Sequence, residues 1–182
     1  MVSQRRHVKE KVYSVVLIAD KLVKLGWRFE RAILDRPAGD GGFESNHEAL
    51  VMGENRYPTV VHPTGVKIAL DTSSRFIHKE TAVWAGDPYA TDPTQITVAA
   101  LWSPPLARGK GCASLAMKEL CGVADELEIT VSLEPQQISS YGRERALSTA
   151  QLKKWYARLG FESVGIYELL MVRKPVVAQP VV

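Results

Sequence analysis

A chain of 182 residues is the length of one ordinary domain, and 46% hydrophobic content is enough to build its core. No apolar run is long enough to span a bilayer, and the start, Met1-Val2-Ser3-Gln4-Arg5-Arg6, leads into an amphipathic segment rather than a signal peptide. The net charge of +3 is uneven: nine Lys/Arg against four Asp/Glu in residues 1–36, seven against thirteen in 37–140, and seven against three in 141–182.

From the N-terminus, Val8, Val12, Val15, Val16, Ala19, Leu22 and Val23 form a helical stripe that Gly26 ends. The basic residues Arg5, Arg6, Lys9, Lys11, Lys21 and Lys24 are spread along this segment with acids between them. That pattern reads as a solvated helix face rather than a nucleic-acid surface. Trp27 to Leu34 alternates imperfectly, as a strand. Residues 35–47 are a loop rich in glycine and acid. Thr59 to His62 and Val66 to Leu70 flank Pro63-Thr64-Gly65 and read as a hairpin. Thr81 to Ala85 reads as a further strand.

Ile96 to Leu101 is an apolar strand that runs through Pro104-Pro105 into Arg108-Gly109-Lys110-Gly111-Cys112-Ala113-Ser114, and a helix is expected from Gly109 to Leu127. Glycines at a strand-to-helix turn leave backbone amides bare beside the positive end of a helix, which suits a diphosphate. Such turns also arise for packing alone. The dinucleotide fingerprint would need glycine where Ser114 stands, and neither half of the Walker pattern is present. Cys112 and Cys121 lie nine residues apart on this helix, about 13 Å of rise and too far for a disulfide. Reduced thiols suit a cytoplasmic protein. Ile129 to Leu133 reads as a strand and Ser148 to Leu159 as a helix, with Ser148 and Gln151 as a capping box. Phe161 to Val164 and Leu169 to Val172 form a closing strand pair. A single domain over 1–175 is expected, with 176–182 a disordered tail.

Two motifs in this order carry a resemblance. Arg108, Gly111 and Ala113 fill the fixed places of Arg/Gln-x-x-Gly-x-Gly/Ala, and Leu152-Lys153-Lys154-Trp155-Tyr156-Ala157-Arg158-Leu159-Gly160-Phe161 has an aromatic-Tyr pair followed by Gly-Phe. They are similar to motifs A and B of the GNAT superfamily of N-acetyltransferases, and the likeness covers roughly Thr94 to Pro175. The closing segments also look similar to acetyltransferases encoded by bacteriophages. The resemblance implies an α/β (α+β) fold: a mixed, mostly antiparallel central sheet flanked by helices, with a splayed strand pair at the cofactor site. It implies acetyl-CoA as acyl donor, its pyrophosphate cupped by Gly109, Lys110, Gly111, Cys112 and Ala113, with charge from Arg108 and a hydroxyl from Ser114. It also implies main-chain pairing of the pantetheine arm with Leu101 and Ser103. Read on its own residue type, Lys110 is a solvent-facing charge.

Tyr156, four residues before Gly160, is the general acid that the resemblance implies. A phenol near pKa 10 is a sensible donor to a departing thiolate, although packing beside Trp155 would also account for it. The family's Asn upstream of this helix is missing, since the region reads Ala146-Leu147-Ser148-Thr149. The strand Gln95 to Ser103 holds no carboxylate to act as general base. Glu134, Glu80 and Asp87 are the alternatives, or a water chain. His7, His47, His62 and His78 show none of the short spacings of a zinc site, so no metal is expected.

Three function classes remain: an N-acetyltransferase, a catalytically inactive GNAT-fold binding or regulatory module, and a basic nucleic-acid binder resting only on the termini. For the first, the partner is an amine-bearing small molecule or protein, drawn to the acidic segment of Asp40, Glu44, Glu48 and Glu54. A homodimer is a further partner to consider; a membrane is not.

Overall fold

The computed structural model describes residues 13–30, 57–71, 94–136, 147–164 and 170–176. The first helix, α1 (Tyr13–Lys24), buries Val15, Ile18, Ala19 and Leu22 at the spacing of a single face. Val16 and Val23, which the sequence reading put on that face, are exposed, and Ile18 takes the central place. The apolar stripe is therefore narrower than the valines suggest. Bonds from the Gly26 amide to the Val23 carbonyl and from the Trp27 amide to the Leu22 carbonyl close the helix as a Schellman turn.

Among the described residues, seven strands form one sheet: β1 (Arg28–Glu30), β2 (Thr59–Val61), β3 (Lys67–Asp71), β4 (Gln95–Trp102), β5 (Thr130–Leu133), β6 (Glu162–Val164) and β7 (Leu170–Arg173), in the order β1-β2-β3-β4-β5-β7-β6. Every neighbouring pair is antiparallel except β4 and β5. A parallel pair needs a crossover, and α2 (Cys112–Glu126) supplies it. A third helix, α3 (Thr149–Ala157), precedes the β6–β7 pair. The architecture is thus mixed α+β with a mostly antiparallel sheet, as expected.

The core joins α1, α2 and the strands. Leu22, Ile68, Leu70, Ile96, Met117, Leu120 and Leu133 have at most about 1% of their surface exposed. A smaller apolar group gathers Ala69 and Ala100 with Tyr57, Ala99 and Trp102. Fully burying a side chain the size of Leu or Met contributes roughly 1.5–3 kcal/mol, so these contacts fix where β4 and α2 sit. The β2–β3 hairpin turns through His62 to Val66, as Pro63-Thr64-Gly65 predicts.

The helix expected from Gly109 begins at Cys112, because Gly109 and Gly111 have φ of 70° and 77°, outside the right-handed helical region. Val176, assigned to the disordered tail, donates its amide to Asp125 Oδ1 at 2.9 Å. Residues 8–12, the loop 35–47, the strand Thr81 to Ala85 and residues 177–182 lie outside the described residues.

Candidate functional site at the parting of β4 and β5

Strand β4 is eight residues long, yet it pairs with β5 only from Gln95↔Thr130 to Val98↔Leu133. The pairing ends there because β5 itself ends at Leu133, while β4 runs on to Trp102. After Leu133 comes Glu134-Pro135, and a proline has no N–H with which to continue a ladder. Just before the pairing ends, the Ser132 hydroxyl donates to the Ile96 carbonyl at 3.3 Å and takes the Thr97 hydroxyl at 2.8 Å. That buried pair ties the strands one register before the last they share. On the other side of β4, Ala69 pairs with Ala100 and Leu70 with Val98, which leaves Ala99 as the extra residue of a bulge. A bulge bends and twists its strand, and this one sits where β4 leaves β5. Among the described residues, Ala99 to Trp102 have a strand neighbour on the β3 side alone.

The chain leaves β4 through Ser103-Pro104 and a 3₁₀ turn, Pro105–Ala107, whose Ala107 amide bonds the Pro104 carbonyl. Arg108 returns to extended backbone, and its Nε donates to the Ser103 carbonyl at 3.0 Å, bracing the turn. At Gly109 and Gly111 an added Cβ would meet no atom within 4 Å. Glycine is therefore wanted for backbone shape rather than for space: a side chain in the left-handed region costs about 1–2 kcal/mol.

Gly111 is also the N-cap of α2, and no side chain caps that helix. Its carbonyl takes the first intrahelical bond, from the Leu115 amide. Among the described residues, no carbonyl and no side chain accepts from the consecutive amides of Gly109 to Ser114. These donors sit at the positive end of the α2 dipole, where an anion is favoured. Lys110 is exposed beside them. Ser103, at the head of the turn, buries its hydroxyl with no hydrogen-bond partner among the described residues. A buried hydroxyl without a partner costs stability, so it marks a place where an outside acceptor or donor would be gained.

The third side of this region is α3. Its capping box forms as read from sequence: the Gln151 amide bonds Ser148 Oγ, and the Ser148 amide bonds Gln151 Oε1. Tyr156 is buried at 7% exposure, its ring 4.5 Å from that of Trp155 and 5.6 Å from that of Phe161. Burial pushes the phenol well above its ordinary value of 10.0, so it keeps its proton at neutral pH. Trp155 Nε1 donates to Ser114 Oγ at 2.8 Å, joining α3 to the first turn of α2. The structure thus joins Arg108 to Ser103 within the turn, and Ser114 through Trp155 to Tyr156.

Glu134 follows the last paired residue of β5. It is half-buried and its Oε2 accepts from Gln136 Nε2 at 3.0 Å. The other base candidates, Glu80 and Asp87, and the acidic residues Asp40, Glu44, Glu48 and Glu54, lie outside the described residues. Of the histidines, only His62 is described. Its Nδ1 lies 2.7 Å from the Thr64 hydroxyl and 3.1 Å from the Thr64 amide, and its Nε2 faces Glu119 Oε2 at 3.6 Å. Glu119 Oε2 also takes the Trp27 indole N–H at 2.8 Å. This network was not foreseen, and no local pattern announces a partner 92 residues away. Among the described residues no group of three or more His, Cys, Asp or Glu could hold a metal ion, and no helix is long and apolar enough to cross a membrane. No protein-family model and no curated protein matches the chain.

Proposed function

We propose that this protein is an N-acetyltransferase of the GNAT type, using acetyl-CoA to acetylate a primary amine on a small molecule or protein. The end of β4 past Val98, which has no partner on the β5 side among the described residues, leads to the amides of Gly109 to Ser114, which have no acceptor among them, and this carries the reading. It gives an open strand edge leading to an anion cradle, the arrangement that the sequence resemblance implies for the cofactor. The residues present suit acetyl-CoA: amide donors for a diphosphate, Arg108 beside them, and an unpartnered hydroxyl at Ser103 on the path between.

Acetyl-CoA supplies an activated thioester carbonyl. The amides of Gly109 to Ser114 would hold its diphosphate. Main-chain groups of Leu101, near the end of β4, and of Ser103, just past it, would align the pantetheine arm. Tyr156 would deliver a proton to the departing sulfur, although its burial makes it a weaker acid than an ordinary phenol. Glu134, just past the end of β5, is the candidate to take the amine's proton, directly or through water.

A second reading is a GNAT-fold binding module without activity. The burial of Tyr156 favours it, since a proton donor must reach its acceptor. Calorimetry with CoA and acetyl-CoA, followed by a screen of amine acceptors for acetyl transfer, separates the two. Binding with turnover supports the enzyme, binding without turnover of any amine supports the module, and no binding contradicts both.

A further inference from the structure

Trp155 and Ser114 are 41 residues apart and belong to different helices, yet the indole N–H and the hydroxyl oxygen are bonded at 2.8 Å. A serine hydroxyl carries one proton and two lone pairs. The indole uses a lone pair, so the proton remains to be given. A helical serine usually gives it to a carbonyl one turn back. Here, among the described residues, Ser114 has the indole as its one hydrogen-bond partner. Its proton is therefore uncommitted, next to the bare amides of Cys112 and Ala113. On the other side, the Trp155 ring lies against Tyr156, which meets Phe161 edge-on.

We propose that Trp155 is a positioning residue that couples occupancy of the glycine turn to the setting of Tyr156. The inference rests on the reading of that turn as an anion cradle. When a phosphate oxygen takes the Ser114 proton, the hydroxyl oxygen becomes a better acceptor, because hydrogen bonds in a chain polarise one another. The indole is then held harder against α2, and the adjoining Tyr156 ring is held with it. An empty cradle leaves the clasp at its resting strength. Donor binding would in this way fix the proton donor before the acceptor arrives.

The test follows the Trp155 indole proton by ¹H–¹⁵N spectroscopy, assigned with Trp155→Phe, during titration with CoA and separately with inorganic pyrophosphate. The resonance should move with the same saturation curve that calorimetry gives for CoA. In Ser114→Ala, CoA should bind about 2- to 12-fold more weakly, the worth of one hydrogen bond, and the indole should no longer respond. Trp155→Phe should weaken CoA by a similar factor, and the double variant by no more than either alone. Ser114→Thr, which keeps a hydroxyl, should restore the response. With an amine acceptor, Trp155→Phe should lower kcat by more than it raises KM for acetyl-CoA. CoA binding with an unmoved indole, or additive losses in the double variant, overturns the coupling and leaves the cradle standing. Absence of CoA and pyrophosphate binding to the wild type overturns the cradle and the coupling together.

Discussion

The guanidinium of Arg173 grips both carboxylate oxygens of Asp125, at 2.6 and 2.7 Å, across 48 residues of chain. The same Arg173 gives its Nε to the Leu159 carbonyl at 3.0 Å, so one side chain ties β7 and the end of α3 to the C-terminal part of α2. Burial pushes the Asp125 carboxyl up, but hydrogen bonds from Arg173 and the Val176 amide, with the guanidinium charge, outweigh it and hold the group below 3.8. A depressed carboxyl contributes stability that is full above its ordinary value and is lost as pH falls through the folded value. Urea unfolding of Asp125→Asn should show a loss of about 1.5–3 kcal/mol at neutral pH, and a flatter decline below pH ~4 than the wild type. Parallel acid limbs in the two proteins would mean that the bridge does not govern acid stability.

The two thiols should differ sharply. Cys121 is 4% exposed, and burial, partly offset by Arg173, pushes it up to about 11. At pH 8 it is then on the order of 0.1% thiolate. Cys112 is half-buried at the start of α2. Iodoacetamide should modify Cys112 alone in the native protein, and CoA should slow that reaction by covering the turn. Cys121 should react only on unfolding. Peptide mapping after brief exposure decides it, and equal labelling of both sites would contradict the burial of Cys121.

Glu119 accepts from the Trp27 indole inside the α1–α2–hairpin junction. Glu119→Ala should cost about 1–3 kcal/mol by stranding that buried donor. Glu119→Gln keeps an acceptor and should cost less. Thermal melts of the two variants check the order, and a larger loss in the Gln variant would refute this role.

Tyr156→Phe removes a hydroxyl that has no hydrogen-bond partner among the described residues, so stability near neutral pH should change by no more than about 0.5 kcal/mol. The raised phenol works against folding at high pH: its contribution is intact below about 10 and is lost above it. The variant should therefore resist alkaline unfolding better than the wild type. On the proposed reaction kcat should fall by roughly 10²–10⁴ with little change in acetyl-CoA binding. Wild-type turnover in Tyr156→Phe would make the residue a packing element.

What the sequence made legible was local. The hairpin around Pro63-Thr64-Gly65 and the Ser148–Gln151 box are written in residues a few places apart, and both form. The strand before the glycine turn and the helix after it were also readable. The helix start was misplaced by three residues, because the glycines that leave the amides bare also delay the helix. The valine-rich stripe of α1 was read too broadly, since a list of apolar residues does not say which of them face the core. That β4 outruns β5 by four residues could not be read from the sequence. Where Pro135, the Thr97–Ser132 pair and the Ala99 bulge stand relative to that end becomes visible once the register is known. Long-range contacts such as Trp155 with Ser114 and Trp27 with Glu119 had no local signature.

The most direct measurement is CoA affinity, by calorimetry, in Gly111→Asp and Gly111→Asn. Both variants put a side chain into the same left-handed backbone, where open space surrounds the new Cβ, so they share the torsional cost and differ in charge. If the turn holds a diphosphate, the carboxylate weakens CoA at least about fivefold more than the amide does, since like charges ~4 Å apart cost about 1 kcal/mol even in a water-like dielectric. Equal affinities in the two variants would contradict the assignment of this turn as the cofactor site.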